Sequence, residues 1–401
     1  MQAPLPIPPI TLHEAKRNIS VRHLEQLANL SLTRDTPPPG DGSQHEIPYG
    51  LFGSSSPYDD LLEWSKENAS QIKEAVRNRA FGGPDGSGIQ WTNAFLGFME
   101  SATVYLRDSD KVVQATEAYK REDFETAFRL LEDSTARIQE IAALWGMKFL
   151  LLCDLTESSA TWGSGPYCGA FYSEDPDAPF IGVGFKGTNI WNWKDLITDI
   201  NTTVVQADEG HVYNTQVSDG VYSGMFGQHE PAPACDLIRL GLNDLIPNIP
   251  NEAGKEVVTH VAGHSLGGSY SNLCYTQFTI PGALPPMAVL GDLYTFGCPR
   301  IGYKDFAEAM RDHQGPHTGS AWRIANKGDL VTQVPPVTPW THDSPFNHVD
   351  NGYQLSTNNK PVTLPSEIGT LTSGPDVWPP SKMTFTPHYA TTYYENLQKA
   401  L

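Results

Sequence analysis

The feature that most constrains the fold of this 401-residue chain is a serine flanked by glycines between a strand pattern and a helix pattern. The motif reads Gly263-His264-Ser265-Leu266-Gly267, and another glycine follows it. The apolar run 256–262 predicts a buried strand, and residues 269–279 predict a helix. A sharp turn between them requires small residues beside the serine. The pattern predicts a nucleophile elbow, which would hold the Ser265 hydroxyl at the carboxyl edge of a sheet.

An elbow of this kind is suited to acyl transfer. The backbone N–H of Leu266 would lie at a helix N-terminus, where it can stabilise the negative charge that develops on an acyl oxygen. A glycine-rich turn that merely buries Ser265 is the alternative interpretation, and the motif by itself does not exclude it.

Two compositions meet near residue 145. The earlier part has helical spacing of apolar residues over 11–34, 57–80, 90–108 and 111–150, with Pro- and Gly-rich breaks between. The later part alternates helical stretches with short apolar runs at 179–185, 257–262, 289–296 and 321–325. This alternation predicts an α/β fold, with a mostly parallel central sheet flanked by helices. We therefore expect a helical N-terminal region at 1–145, packed on or capping a catalytic domain at 146–401.

Charge and hydropathy exclude several classes of function. The chain has 46 acidic and 27 basic side chains, so its formal net charge is −19. This balance argues against nucleic-acid binding and against attachment to anionic lipid by charge alone. No apolar run is long enough to predict a transmembrane segment. The composition, 39% hydrophobic and 18% charged, is that of a chain with a large core.

The cysteines and the N-terminus bear on location. Five cysteines form no CxxC pair, which argues against a zinc or thioredoxin-type site. The first residues lack the features of a signal peptide, so we expect a mature secreted protein with its signal absent, or else a cytoplasmic one. Glycosylation sequons, at Asn18, Asn29, Asn68 and Asn201, weakly favour secretion of a glycoprotein.

Four motifs carry a family resemblance, and their order along the chain agrees with that of the family. They are residues 260–268, 294–302, 326–331 and 185–188, the last reading Phe-Lys-Gly-Thr. Together they resemble the class 3, filamentous-fungal-type lipases of the α/β-hydrolase superfamily, across about residues 165–401. The resemblance implies a serine carboxylic-ester hydrolase that needs no metal or organic cofactor.

The acid and the base of a triad should follow the serine along the chain. Asp329 lies just after the apparent strand 322–325, where a carboxylate can orient an imidazole. Only His342, His348 and His388 follow it. The resemblance places a non-catalytic histidine near 348 and implies that the base is His388, whose segment 387–393 is similar to the family's C-terminal motif. His348 stays open as the alternative base.

The second oxyanion donor is implied by the same resemblance to be Thr188. A competing pattern overlaps it, because residues 182–187 also fit the G-x-G-x-x-G fingerprint of dinucleotide sites. A dinucleotide site would need a helix that begins at these glycines. Since 179–185 is itself predicted to be a strand, we favour the oxyanion interpretation.

A lid is expected directly after the oxyanion segment. If 189–200 is a helix, its apolar residues fall on one arc, with Trp191 as an exception. The resemblance implies a short amphipathic helix that opens at a lipid–water interface, and a helix docked permanently on the core is the alternative. The lid candidates are Ile190, Trp191, Trp193, Leu196 and Ile197.

The predicted function is hydrolysis of lipid esters, as by a triacylglycerol lipase, through an acyl-enzyme on Ser265. An esterase for short-chain or feruloyl esters is the alternative on the same fold. A non-catalytic protein, in which the helical N-terminal region binds a partner, is the rival of another class. Acyl-chain length, disulfide pairing and oligomeric state stay open.

Overall fold

A computed structural model describes residues 10–30, 52–78, 88–156, 165–187, 203–313, 319–335, 346–368 and 384–401. All structural statements below concern these ranges. Within them, no helix combines the length and apolar character needed to cross a membrane.

The first part of the described chain is helical, as its spacing predicts. Its helices are α1 (Leu12–Asn29), α2 (Pro57–Asn78), α3 (Trp91–Thr103), α4 (Ser109–Lys120), α5 (Phe124–Asp133) and α6 (Ala136–Leu144). A capping box begins α1, because Thr11 and Glu14 hydrogen bond to each other's backbone N–H groups. A short 3-10 turn, Val104–Leu106, extends α3.

The main sheet has eight strands in the order β1-β2-β3-β6-β7-β8-β9-β10. In chain order the strands are β1 (Met147–Asp154), β2 (Tyr167–Ser173), β3 (Phe180–Lys186), β4 (Val204–Gln206), β5 (Gln216–Ser218), β6 (Val257–His264), β7 (Ala288–Phe296), β8 (Ala321–Asn326), β9 (Gly352–Leu355) and β10 (Val362–Thr363). Strands β4 and β5 form a separate antiparallel pair. From β3 to β9 the neighbours in the main sheet are parallel. The prediction of a mostly parallel α/β sheet is confirmed.

The edges of the main sheet were not predicted. Strands β1, β2 and β3 pair antiparallel, and so do β9 and β10. Residues 147–150 had been assigned to a helical stretch, but they begin β1. The reason is that β2 is buried at every residue and β1 is buried from Leu151 to its end, so neither sequence sustains an alternation of polar and apolar residues.

Helices cover both faces of the main sheet. The remaining ones are α7 (Asp219–Phe226), α8 (Ala234–Leu245), α9 (Leu266–Phe278), α10 (Lys304–Asp312) and α11 (Ala390–Leu397). Alternate residues of β6 belong to two hydrophobic clusters: Val257 and Val261 to one, Val258 and Ala262 to the other. The first cluster includes residues of α1, α7, α8 and α9, and the second includes residues of α2, α3, α6 and α11. The early helices therefore contribute to the same cores as the sheet.

Helix α3 lies against β3 and β6 and is buried from Asn93 to its end. Its Glu100 carboxylate contacts the ring of His260 on β6, with 2.5 Å between Oε2 and Nε2. Burial raises the pKa of Glu100, and the neighbouring His260 opposes that rise. The close approach needs a glycine at Gly182, because a Cβ there would overlap the Glu100 carboxylate. The helix then leads into the turn that carries Tyr105.

Candidate active site

Ser265 lies at a strained turn between β6 and α9. Its φ of 58° and ψ of −132° fall outside the usual regions for L-residues. A Cβ at Gly267 would lie 2.5 Å from the carbonyl oxygen of Phe185, so a larger residue cannot fit. The Ser265 N–H donates to the Phe296 carbonyl at 2.8 Å, and the Ser265 carbonyl accepts from Gly268 N–H at 2.9 Å. The local geometry is that of the predicted elbow.

Asp329 lies just beyond β8, after a left-handed glycine at Gly328 with φ of +83°. Asp329 is 1% exposed, and its carboxylate accepts hydrogen bonds from three partners. The partners are Nδ1 of His388 at 2.9 Å, the hydroxyl of Tyr393 at 2.7 Å and the backbone N–H of Val331 at 3.0 Å. Since a carboxylate can only accept, His388 must carry its proton on Nδ1 here.

His388 ends a short 3-10 turn, Thr386–His388, just before α11. Its ring stacks on the ring of His264, with 4.8 Å between centroids, and His264 directly precedes Ser265. The structure therefore brings His388 both to Asp329 and beside the elbow. Among the described residues, neither Nε2 of His388 nor Oγ of Ser265 makes a hydrogen bond, and both atoms are buried.

His348, the alternative base, has a different environment. Its Nε2 lies 2.7 Å from the Thr332 carbonyl oxygen. Burial, followed by the charges of Arg323 and Arg300, holds the pKa of His348 well below its usual range. Within the described ranges, His348 makes no hydrogen bond to Asp329. The geometry favours His388.

The oxyanion donors are described only in part. Leu266 is the first residue of α9, so its N–H belongs to the group that has no partner within the helix. Thr188 lies outside the described residues, directly after Gly187. The lid candidates Ile190, Trp191, Trp193, Leu196 and Ile197 also lie outside them. Their roles stay predictions.

Two residues at the site were present in the quoted motifs but had no assigned role. Tyr393 donates to Asp329 and also accepts from Asn326 N–H at 3.0 Å. Gly297, with φ of +63°, follows β7, and a Cβ there would lie 2.8 Å from Cε1 of His388 and 2.9 Å from Oδ2 of Asp329. A glycine at this position leaves room for the imidazole–carboxylate pair. The glycine within the motif 294–302 was the available signal.

The arrangement defines a class of protein. A mostly parallel sheet carries a strained serine directly after a central strand, and an aspartate follows a later parallel strand with a histidine beside it. This is the architecture of the α/β-hydrolases.

Comparison with known proteins gives a family match for part of the chain. The family model described as "Lipase (class 3)" matches residues 182–338, which run from β3 past Asp329. The secreted mono- and diacylglycerol lipase 1 of Fusarium solani is 29% identical over 186 residues, which cover 46% of this chain. The chain spans about half of that relative's length, 48%. Residues 182–338 therefore carry the sequence pattern of the class 3 lipases.

Solved structures of fungal lipases are more distant. Lipase II from Rhizopus niveus is 19% identical, with a TM-score of 0.44 over 75% of this chain and 95% of that one. The lipase from Rhizopus microsporus var. chinensis is 16% identical, with a TM-score of 0.38 over 91% and 93% of the two chains. Structural similarity at these TM-scores carries no argument about the activity of this chain.

Proposed function

We propose that this protein is a serine carboxylic-ester hydrolase that cleaves lipid esters. The observation that carries the proposal is the arrangement of three buried side chains. Asp329 binds Nδ1 of His388, while Nε2 of His388 and Oγ of the elbow residue Ser265 are unpartnered among the described residues. The match of residues 182–338 to the class 3 lipases supports ester hydrolysis as the reaction.

In the proposed mechanism, Ser265 is the nucleophile and His388 is the general base. Oγ attacks the acyl carbonyl carbon while its proton passes to Nε2 of His388, and Asp329 stabilises the imidazolium. The tetrahedral intermediate then expels the alcohol oxygen, which takes the proton back from Nε2. Water repeats the sequence on the acyl-enzyme, which releases the carboxylic acid and restores Ser265.

Two backbone donors would stabilise the oxyanion in this scheme. One is the N–H of Leu266, supported by its place at the first turn of α9. The other is Thr188, supported by the family resemblance alone. Loss of one such donor typically costs about 3–4 kcal/mol of transition-state stabilisation.

The substrate and the location follow from the family and its relative. We assign to this protein lipid esters met at a lipid–water interface, with mono- and diacylglycerols as the first substrates to test, and secretion as its route. The segment 189–200 is the proposed lid, because its apolar stripe would be unfavourable in water and favourable against lipid.

The nucleophile is tested by Ser265→Ala, with Ser271→Ala as the matched control. The Ser271 hydroxyl is buried in α9 and bonds only within the helix, to the Gly268 carbonyl at 2.8 Å. We expect Ser265→Ala to lower kcat/KM on a p-nitrophenyl ester by roughly 10⁴-fold or more and to abolish labelling by a fluorophosphonate. Ser271→Ala should stay within a few-fold of the wild type. Substantial activity in a folded Ser265→Ala protein would refute the mechanism.

The substrate class is tested by an acyl-chain profile. Rates on short, medium and long acyl esters are measured below and above the solubility limit of each ester. A lipase with a mobile lid should prefer the longer chains, and its rate should rise when an interface forms. A preference for soluble short-chain or feruloyl esters, with no rise at the interface, would instead assign an esterase and argue against the lid.

A further inference from the structure

A chain of hydrogen bonds that the proposed mechanism does not use runs beside the elbow. The hydroxyl of Tyr105 accepts from Gly187 N–H at 3.1 Å and lies 3.0 Å from Nδ1 of His264. On the other side of that ring, Nε2 of His264 lies 3.0 Å from the carbonyl oxygen of His388. Four separate segments are therefore joined: the turn after α3, the end of β3, the end of β6 and the turn before α11.

The donors in this chain can be assigned from its ends. Gly187 N–H can only donate and the His388 carbonyl can only accept. Nε2 of His264 therefore donates to the His388 carbonyl, and in a neutral ring Nδ1 is then the acceptor. The Tyr105 hydroxyl accepts from Gly187 N–H and donates its O–H to Nδ1 of His264.

Burial supports these protonation states. It raises the pKa of Tyr105, so the phenol stays a donor. It also holds the pKa of His264 well below its usual range, with the neighbouring His388 as the second cause. A second proton on His264 would leave Tyr105 without its acceptor, so the neutral ring is the form that completes the chain.

The two ends of this series of hydrogen bonds connect it to the proposed catalytic residues. Gly187 directly precedes Thr188, the proposed oxyanion donor, and the other end is the backbone of the proposed base. His264 also contacts the His388 ring face to face. Space at Gly187 is limited, because a Cβ there would lie 2.8 Å from the Cβ of Ser265. A shift of the Gly187 backbone would therefore change the position of Ser265, the proposed nucleophile.

We propose that Tyr105 is a positioning residue: through Gly187 N–H and His264 it fixes the oxyanion segment and the His388 backbone relative to Ser265. The inference rests on the proposed function. It assigns to the helical N-terminal region a part in positioning the proposed catalytic residues, because Tyr105 lies in the turn that extends α3.

Tyr105→Phe tests this proposal, since it removes one hydroxyl and keeps the ring. The matched control is Tyr275→Phe, because the buried Tyr275 hydroxyl also bonds to backbone, at the Gly291 and Gly319 carbonyls. We expect Tyr105→Phe to lower kcat on a p-nitrophenyl ester by about tenfold or more, with KM within twofold, and to slow fluorophosphonate labelling in parallel. Tyr275→Phe should lower the melting temperature and leave kcat within twofold.

A second variant, His264→Phe, keeps a ring to stack on His388 and removes both hydrogen bonds. Both changes break the bond between Tyr105 and His264, whereas the bond from Gly187 N–H is lost only with the Tyr105 hydroxyl. The double variant should therefore lose less kcat than the product of the two single losses. If His264→Phe folds poorly, the comparison of Tyr105→Phe with Tyr275→Phe still tests the proposal.

The outcomes separate the two proposals. Wild-type kcat in Tyr105→Phe, or losses that multiply in the double variant, would overturn the positioning role while an inactive Ser265→Ala protein still supports the mechanism. An active Ser265→Ala protein would overturn the mechanism itself. Equal losses of kcat in Tyr105→Phe and Tyr275→Phe would assign Tyr105 to stability only.

Discussion

Buried imidazoles in this protein differ in what their nitrogens contact. His388 has a carboxylate at Nδ1, and His348 has a carbonyl at Nε2. His23, on α1, is 1% exposed, and neither of its ring nitrogens has a hydrogen-bond partner in the described ranges. Burial lowers its pKa to about 4, partly offset by the charge of Asp154. A buried ring without a partner is held in its neutral form.

This environment predicts a loss of stability in mild acid. Unfolded His23 takes up a proton near pH 6.5 and the folded form only near pH 4, so the unfolded chain binds more protons between these values. The free energy of unfolding therefore falls as the pH falls. His23 should contribute about 2 kcal/mol to the loss between pH 7 and pH 5.

The measurement is urea unfolding at both pH values. His23→Phe should lose about 2 kcal/mol less than the wild type over this interval. His13→Phe, an exposed change on the same helix, is the control and should lose as much as the wild type. Identical losses for wild type and His23→Phe would contradict the assignment.

At the scale of elements, the last helix links the site to the early part of the chain. One residue of α11, Tyr393, donates a hydrogen bond to Asp329, and the next, Tyr394, packs against α2. The Tyr394 ring stacks on Trp64 of α2 at 4.1 Å, and its hydroxyl accepts from the side chain of Asn68 at 3.0 Å.

Asn68 is 7% exposed, so this sequon is closed to a glycan in the folded protein, whereas Asn18 and Asn29 are exposed on α1.

These neighbouring tyrosines predict contrasting variants. Tyr393→Phe removes a charge-assisted hydrogen bond to Asp329, so we expect kcat to fall several-fold to tenfold and the melting temperature to fall as well. Tyr394→Phe keeps the ring on Trp64 and should change only stability, by about 1 kcal/mol. Steady-state kinetics with thermal melts would separate them. A full kcat in Tyr393→Phe would show that His388 and Val331 suffice to hold the carboxylate.

At the scale of the whole molecule, the excess of acidic side chains affects contact with lipid. A net charge of −19 repels an anionic surface, and the repulsion is screened over about 10 Å at 0.1 M salt. We therefore expect adsorption to lipid to come from apolar contact.

We predict weaker adsorption to anionic vesicles than to zwitterionic vesicles at low salt. Added salt should narrow the difference, because it screens the repulsion. Co-sedimentation of the Ser265→Ala protein measures binding without turnover. Tighter binding to the anionic vesicles at low salt would reveal a basic patch that outweighs the net charge.

Local patterns in the sequence predicted the central parts of the fold. An apolar run followed by small residues and then a helical stretch is sufficient for the elbow at Ser265, because the steric limits of that turn act between near neighbours. The central strands followed from continuous apolar runs. Strands β1 and β2 were not predicted, because the sequence of a strand that is buried on both faces resembles that of a buried helix.

The site as a whole required the tertiary structure. The sequence by itself determined which residue could be the nucleophile and where a carboxylate could follow a strand. The proposal of His388 rather than His348 as the base rests on the family resemblance and on the contact of His388 with Asp329, which the sequence alone does not reveal. The links from Tyr393 to Asp329 and from Tyr105 to His264 join residues 64 and 159 positions apart. Contacts at such separations leave no periodic signal in one sequence, and only the folded chain decides them.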